Sequence, residues 1–311
     1  MSDLQLRVGV KSDPVEYRFS YEWLFRLMAE EGIRYAQLGS FFELYHLPDE
    51  YFVDLRRLAE EYGVRIASVF TSHRELGGIL RDEHPAWEGA ARRNLERLVE
   101  VGALLGAQSV GSNMGAIVRD RMNFKEEGMR RHVRYMKELL GYAHQQGVPY
   151  LTLEPMSCQA EPPTLPDEIR DVAEELLAHH RQYPDQTASF GYCVDVAHGY
   201  VDGDFRLVWD NYQLLEATLP YLSELHLKNT DRHFEAVFGF SPAERERGII
   251  QVEAIRDYLM QNVDVIPVKE LIGYLELGGP KRGRDYSDSK LEEDLRISLR
   301  YLRETFQVGP F

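Results

Sequence analysis

The sequence predicts a (β/α)8 barrel, and three observations predict it. Eight short β-type runs alternate with amphipathic helical stripes along the chain. The 311 residues suit one barrel-sized unit, so residues 1–311 are read as a single domain. No GxGxxG follows the first run, which weakens the doubly wound open sheet as the rival βα arrangement.

The elements follow in order. Residues 6–11 (LRVGVK) open the series, and Ser20 can cap a helix carrying Trp23, Leu24, Leu27 and Met28. Residues 33–39 (IRYAQLG) form the second run, followed by a stripe of Phe52, Leu55, Leu58, Ala59 and Tyr62. The third run, residues 65–71 (RIASVFT), leads to Leu95, Leu98, Gly102 and Leu105. The fourth, residues 108–114 (QSVGSNM), leads to Val133, Met136, Leu140 and Ala143. The fifth, residues 149–156 (PYLTLEPM), is followed by a loop stiffened by Pro162, Pro163 and Pro166, then by Ile169, Val172, Ala173 and Leu176. Runs six to eight are residues 191–198 (GYCVDVAH), 222–229 (LSELHLKN) and 273–279 (GYLELGG). A cap-rich YSDS precedes the last stripe, Leu291, Leu295, Leu299, Leu302 and Phe306.

Composition narrows the function classes. Hydrophobic residues make up 44% and charged residues 28%, which excludes a disordered chain. A net charge of -15 disfavours nucleic acid and anionic membrane as partners. The two cysteines form no CxxC pair and suggest reduced thiols. The N-terminal MSDLQLRVGVKSD lacks a signal-peptide core, and no segment reaches the length of a membrane span. A soluble cytoplasmic protein is expected.

In a barrel, the C-terminal strand ends surround one site. Here four consecutive runs end in acid or imidazole: Glu154 in LTLEPM, Asp195 and His198 in VDVAH, His226 in ELHLKN and Glu276 in YLELGG. Each alone has an ordinary reading, as a salt-bridged glutamate, a satisfied core histidine or a helix cap. Together they are improbable as independent structural choices. Packed acids repel, and a divalent cation among them removes the repulsion. Oxygen donors with one nitrogen favour Mn²⁺, Mg²⁺ or Co²⁺ over a thiolate-held structural Zn²⁺. Lys228 shares the face of His226 and either holds a substrate oxygen or neutralises the acids. His73, ending run three, is a further substrate-contact candidate. Beyond Glu276 the chain reads LGGPKRGRDYS. Arg282 and Arg284 there either hold a phosphate, as loops after the seventh and eighth strands of barrels often do, or pair with Asp285, Asp288, Glu292 and Glu293 in a solvated turn. The SFFELYHL loop, residues 40–47, covers the site or packs in a dimer, and its His46 reads as a surface residue.

The motifs LEP, VDVAH, ELHLKNTDRH and YLELGG resemble the xylose-isomerase-like TIM-barrel superfamily of sugar (phosphate) isomerases and epimerases. The order Glu, Asp-x-x-His, His, Glu resembles its ketose 3-epimerases and hydroxypyruvate-isomerase-like enzymes. The resemblance spans the chain as a strand–helix order and is specific across runs five to eight. It implies metal ligands at Glu154, Asp195, His226 and Glu276, with the two glutamates doubling as the acid/base pair. It implies substrate contacts from His198 and Arg232, with Glu161 as a further acid. The implied protein is a metal-dependent isomerase or epimerase of a short ketose or ketose phosphate, a homo-oligomer acting on small molecules. Mn²⁺ is the expected ion, with Mg²⁺, Co²⁺ and Zn²⁺ as alternatives.

The chemistry would be proton removal beside a ketone, giving an enediolate, and return of the proton to the same or the neighbouring carbon. Rival readings share parts of the site. A keto-inositol-type dehydratase would expel a hydroxyl after the first step. An apurinic endonuclease would need further histidines, which GSNMG on run four does not supply, and a basic surface. A non-catalytic sugar-binding barrel would need no acid pair.

Overall fold

The computed structural model describes residues 4–12, 18–39, 46–73, 77–277 and 288–309. Eight strands, β1 (Gln5–Lys11), β2 (Tyr35–Leu38), β3 (Arg65–Thr71), β4 (Ser109–Ser112), β5 (Tyr150–Leu153), β6 (Ser189–Asp195), β7 (Leu222–Leu227) and β8 (Glu270–Leu275), form a closed barrel. Their order is β1-β8-β7-β6-β5-β4-β3-β2, and helices lie between successive strands. The expected (β/α)8 architecture is present.

Among the described residues the α-helices are α1 (Tyr21–Glu30), α2 (Asp49–Glu61), α3 (Ala86–Leu105), α4 (Lys125–Gln145), α5 (Pro166–Gln182), α6 (Asn211–Thr218), α7 (Pro242–Arg247), α8 (Val252–Gln261) and α9 (Asp288–Thr305). Six carry the predicted stripes. Ser20 caps α1, its Oγ accepting from Trp23 N–H at 3.2 Å. The other three, α6 to α8, add to the sequence reading. So does a two-stranded ribbon after β6, Tyr200–Val201 against Leu207–Trp209.

Packing divides the chain into two units. In the first, residues 1–38, 57–66 and 194–311, strand β1 pairs with β8 from Gln5↔Glu270 to Val10↔Leu275. A Cβ on Gly9 would lie 2.6 Å from the Tyr274 ring, so glycine there makes room for the tyrosine inside the barrel. Alternation along β1 then puts Lys11 on the same inward face as Gly9. Register extends the argument, because Lys11 lies beside Gln37 of β2, and Tyr274 beside His226 of β7. Outside these strands α9 buries Leu295, Leu299, Leu302 and Phe306.

The second unit, residues 39–56 and 67–193, contains β4 and β5, paired from Ser109↔Tyr150 to Ser112↔Leu153. Gly102 lets α3 lie close on the sheet, since a Cβ there would meet Val110 at 2.3 Å. Strand β3 matches its run and β1 is one residue longer, while the other six strands are shorter than the runs that predict them. β5 ends at Leu153 and β8 at Leu275, so Glu154 and Glu276 each stand one residue beyond a strand.

Candidate metal centre and active site

Asp195 is the last residue of β6 and is buried. Its Oδ1 accepts from the Ala197 N–H at 2.8 Å, which turns the chain away from the sheet and fixes the carboxylate. Oδ2 is in ion contact with Lys228 Nζ and lies 3.3 Å from His198 Nε2, yet it is buried with no aligned hydrogen bond.

His226 is fully buried in β7. Its Nε2 lies 2.8 Å from Gln37 Oε1. An amide oxygen only accepts, so Nε2 carries the proton and Nδ1 is left facing the site. Nδ1 lies 3.4 Å from Glu276 Oε2, a separation that takes a proton or a cation between the two atoms. Glu276 receives Lys11 Nζ on Oε1 at 3.0 Å and Lys228 Nζ on Oε2 at 3.4 Å. Burial opposes the ionised form of Glu276, but the charges of Lys11 and Lys228 outweigh it and hold the carboxyl well below its usual range.

In the second unit, Glu154 is buried and its backbone N–H donates to Ser112 O at 3.1 Å. One ligand atom each from Glu154, Asp195, His226 and Glu276 lies within 4.8 Å of the others, a group able to hold a divalent cation. The donor set, three carboxylate oxygens and one imidazole nitrogen, suits a hard or borderline ion.

The remaining predicted residues separate into groups. His198 touches Asp195, and Lys228 is in ion contact with Asp195 and lies 3.4 Å from Glu276 Oε2. Glu161 lies 3.6 Å from Arg119 Nη2 in an ion pair of its own. The backbone N–H of His73 donates to Thr71 Oγ1 at 3.3 Å, and the side chain is half-buried. Arg232 is exposed in the turn after β7. Arg282 and Arg284, with most of the SFFELYHL loop, lie outside the described residues. Two residues were missed. Lys11 is a fully buried cation on β1, and Gln37 is the buried partner of His226 on β2. Lys11 ends its apolar run and Gln37 sits inside its own, positions that by themselves do not mark a residue as facing inward.

The sequence matches the xylose isomerase-like TIM barrel family over residues 25–262, and the chain belongs to that family. No curated protein matches it by sequence. A proposed xylose isomerase from Rhodospirillum rubrum has a TM-score of 0.76 at 16% identity, covering 98% of this chain and 100% of its own. D-Psicose 3-epimerase from Clostridium cellulolyticum H10, solved with D-tagatose, has a TM-score of 0.70 at 16% identity, covering 97% and 100%. The proposed 3-DHS dehydratase AsbF from Bacillus anthracis has a TM-score of 0.64 at 11% identity, covering 95% and 98%. At these identities the likeness is one of fold, and the chemistry has to be argued from the residues. Among the described residues no helix is long and apolar enough to cross a membrane.

Proposed function

We propose that this protein is a divalent-metal-dependent isomerase or epimerase of a short ketose or ketose phosphate. The observation that carries the reading is the approach of Glu154, Asp195, His226 and Glu276 within 4.8 Å. The residues fit an ion on two further counts. Asp195 Oδ2 is buried without an aligned donor, and His226 has its Nε2 committed to Gln37 so that Nδ1 can serve as ligand.

A divalent cation bound there would supply a Lewis acid that stabilises the negative charge left when a proton leaves the carbon beside a ketone. The chain's own residues do the rest. Glu154 and Glu276 come from different strands and act as the two proton carriers, one removing a proton and the other returning it. Lys11 fixes the Glu276 carboxylate through Oε1 and keeps it ionised. His198 and Arg232 hold substrate oxygens, with His73 and Glu161 as outer contacts. Return of the proton to the same carbon on the other face is epimerisation. Return to the neighbouring carbon, with the hydroxyl proton passed to the former carbonyl oxygen, is isomerisation. A phosphate on the far end of the sugar would be held by Arg282 and Arg284.

The test is to incubate the Mn²⁺-loaded protein with a panel of ketoses and ketose phosphates in deuterated water and follow the products by NMR. The reading expects an epimer or isomer with solvent deuterium at the carbon alpha to the carbonyl. Product without deuterium would replace proton transfer by a hydride shift. Loss of a hydroxyl would make the protein a dehydratase. On a phosphorylated sugar Arg282→Ala should lose roughly ten- to hundredfold in kcat/KM, with little change on the free sugar.

A further inference from the structure

We propose that Lys228 is a built-in cation that competes with the metal for the oxygens of Asp195 and Glu276. The proposal rests on the metal reading above and concerns what the chain does before the metal arrives. Lys228 Nζ is in ion contact with Asp195 Oδ2 and lies 3.4 Å from Glu276 Oε2. That second oxygen is also the one facing His226 Nδ1 at 3.4 Å. The ammonium therefore meets two of the carboxylates of the four-residue group, in Glu276 at the oxygen that faces the His226 imidazole.

Lys11 shows the contrast. It is fully buried and takes Glu276 from the other side, through Oε1 at 3.0 Å. Oε2 can ligate a cation while Lys11 stays in place on Oε1. The same is not true of Lys228. An ammonium and a divalent ion sharing Asp195 Oδ2 and Glu276 Oε2 would repel at contact distance in a poorly screened site. One has to leave. The Lys228 side chain can do so, because its head group ends a flexible four-carbon stem and is 10% exposed, whereas Lys11 is closed in.

The consequence is a site whose acids are ordered and neutralised without metal, at the expense of metal affinity. Apparent affinity falls by the fraction of chains in which Lys228 already holds the carboxylates. Metal binding then draws the lysine out toward the mouth.

The experiment titrates metal-free wild type, Lys228→Met and Lys11→Met with Mn²⁺ by calorimetry and records Tm with and without Mn²⁺. Lys228→Met should bind Mn²⁺ at least tenfold more tightly than wild type. Its metal-free Tm should fall, and its Mn²⁺-loaded Tm should not. Lys11→Met should bind more weakly, having lost the contact that positions Glu276. If the methionine variant fails to fold, Lys228→Gln keeps a polar head without the charge and carries the same expectation. Equal or weaker Mn²⁺ binding by a folded Lys228 variant overturns the competition and leaves the metal reading standing. Absence of Mn²⁺ binding by every protein, wild type included, overturns the metal reading and the competition together.

Discussion

Among the described residues, two places each gather three acids and two cations. Behind α1, Glu30, Glu31 and Glu292 meet Arg296 and Arg300. At the barrel mouth the candidate site has Glu154, Asp195 and Glu276, with Lys11 and Lys228 beside Glu276. Charge counting does not tell them apart. Hydrogen bonding does. Glu31 is 5% exposed, and both its oxygens receive guanidinium donors, from Arg296 at 2.8 Å and from Arg300 at 2.7 Å twice. Burial would raise its pKa, but the Arg300 and Arg296 hydrogen bonds outweigh it and lower the value. Planar forks saturate carboxylates. At the mouth the cations are single-point ammonium groups, an imidazole nitrogen faces a carboxylate oxygen, and Asp195 Oδ2 has no aligned donor. The first cluster is complete as it stands; the second has bonding capacity left for a ligand.

The largest expected effect breaks the second cluster. Glu276→Gln should lower turnover at least ~10³-fold, as loss of an acid/base carboxylate does, read as deuterium wash-in per folded protein. The same substitution in the first cluster should act on stability instead. Glu31→Gln should cost about 2–3 kcal/mol in urea unfolding, less than a fully buried pair because Arg300 is partly exposed, with turnover unchanged. Its pH dependence is specific. Glu31 has a lowered folded pKa, so its contribution is present above the unfolded carboxylate value and lost as pH falls through the folded one; Glu31→Gln should remove that acid limb.

A smaller effect sharpens the role of Gln37. Gln37→Leu should leave the fold intact and weaken Mn²⁺ binding by roughly 10–100-fold, because the amide fixes the proton on His226 Nε2. Calorimetry with Mn²⁺ checks it. A comparable or smaller effect concerns the other fully buried imidazole. His132 in α4 has no hydrogen-bond partner on either ring nitrogen, and burial pushes its pKa down to about 4. As pH drops below about 6.5 the unfolded chain takes up a proton that the folded chain refuses until about 4, so stability falls across that window. Wild type should lose about 2 kcal/mol between pH 6.5 and 5 from this group, and His132→Leu should lose none of it. Urea midpoints at the two pH values decide the matter.

The same comparison explains what could be read in advance. Glu154, Asp195, His226 and Glu276 were legible because each closes or follows an apolar run, where a buried acid or imidazole demands a partner. Lys11 and Gln37 escaped notice because a lysine ending LRVGVK and a glutamine in YAQLG pass for rim residues. Only the parallel register, which sets them side by side, shows them facing inward. Helix α8 was within reach, since Val252, Ile255 and Leu259 follow helical spacing and all are buried. Helix α7 was not, because PAERER buries no side chain and is held by its Ser241 capping box. Strand lengths were overestimated at β5 and β8 because apolar character continues past the last ladder pair, through Pro155, Met156 and Leu277.

The central claim is that Glu154, Asp195, His226 and Glu276 bind one divalent cation. Anomalous diffraction at the manganese edge, from crystals grown with Mn²⁺, tests it most directly. The account expects a single strong peak at the C-terminal mouth of the barrel, within about 2.0–2.4 Å of an atom from each of the four side chains. A mouth with no peak at saturating Mn²⁺, or a peak held by other residues while Asp195 and Glu276 keep their lysine contacts, would contradict it.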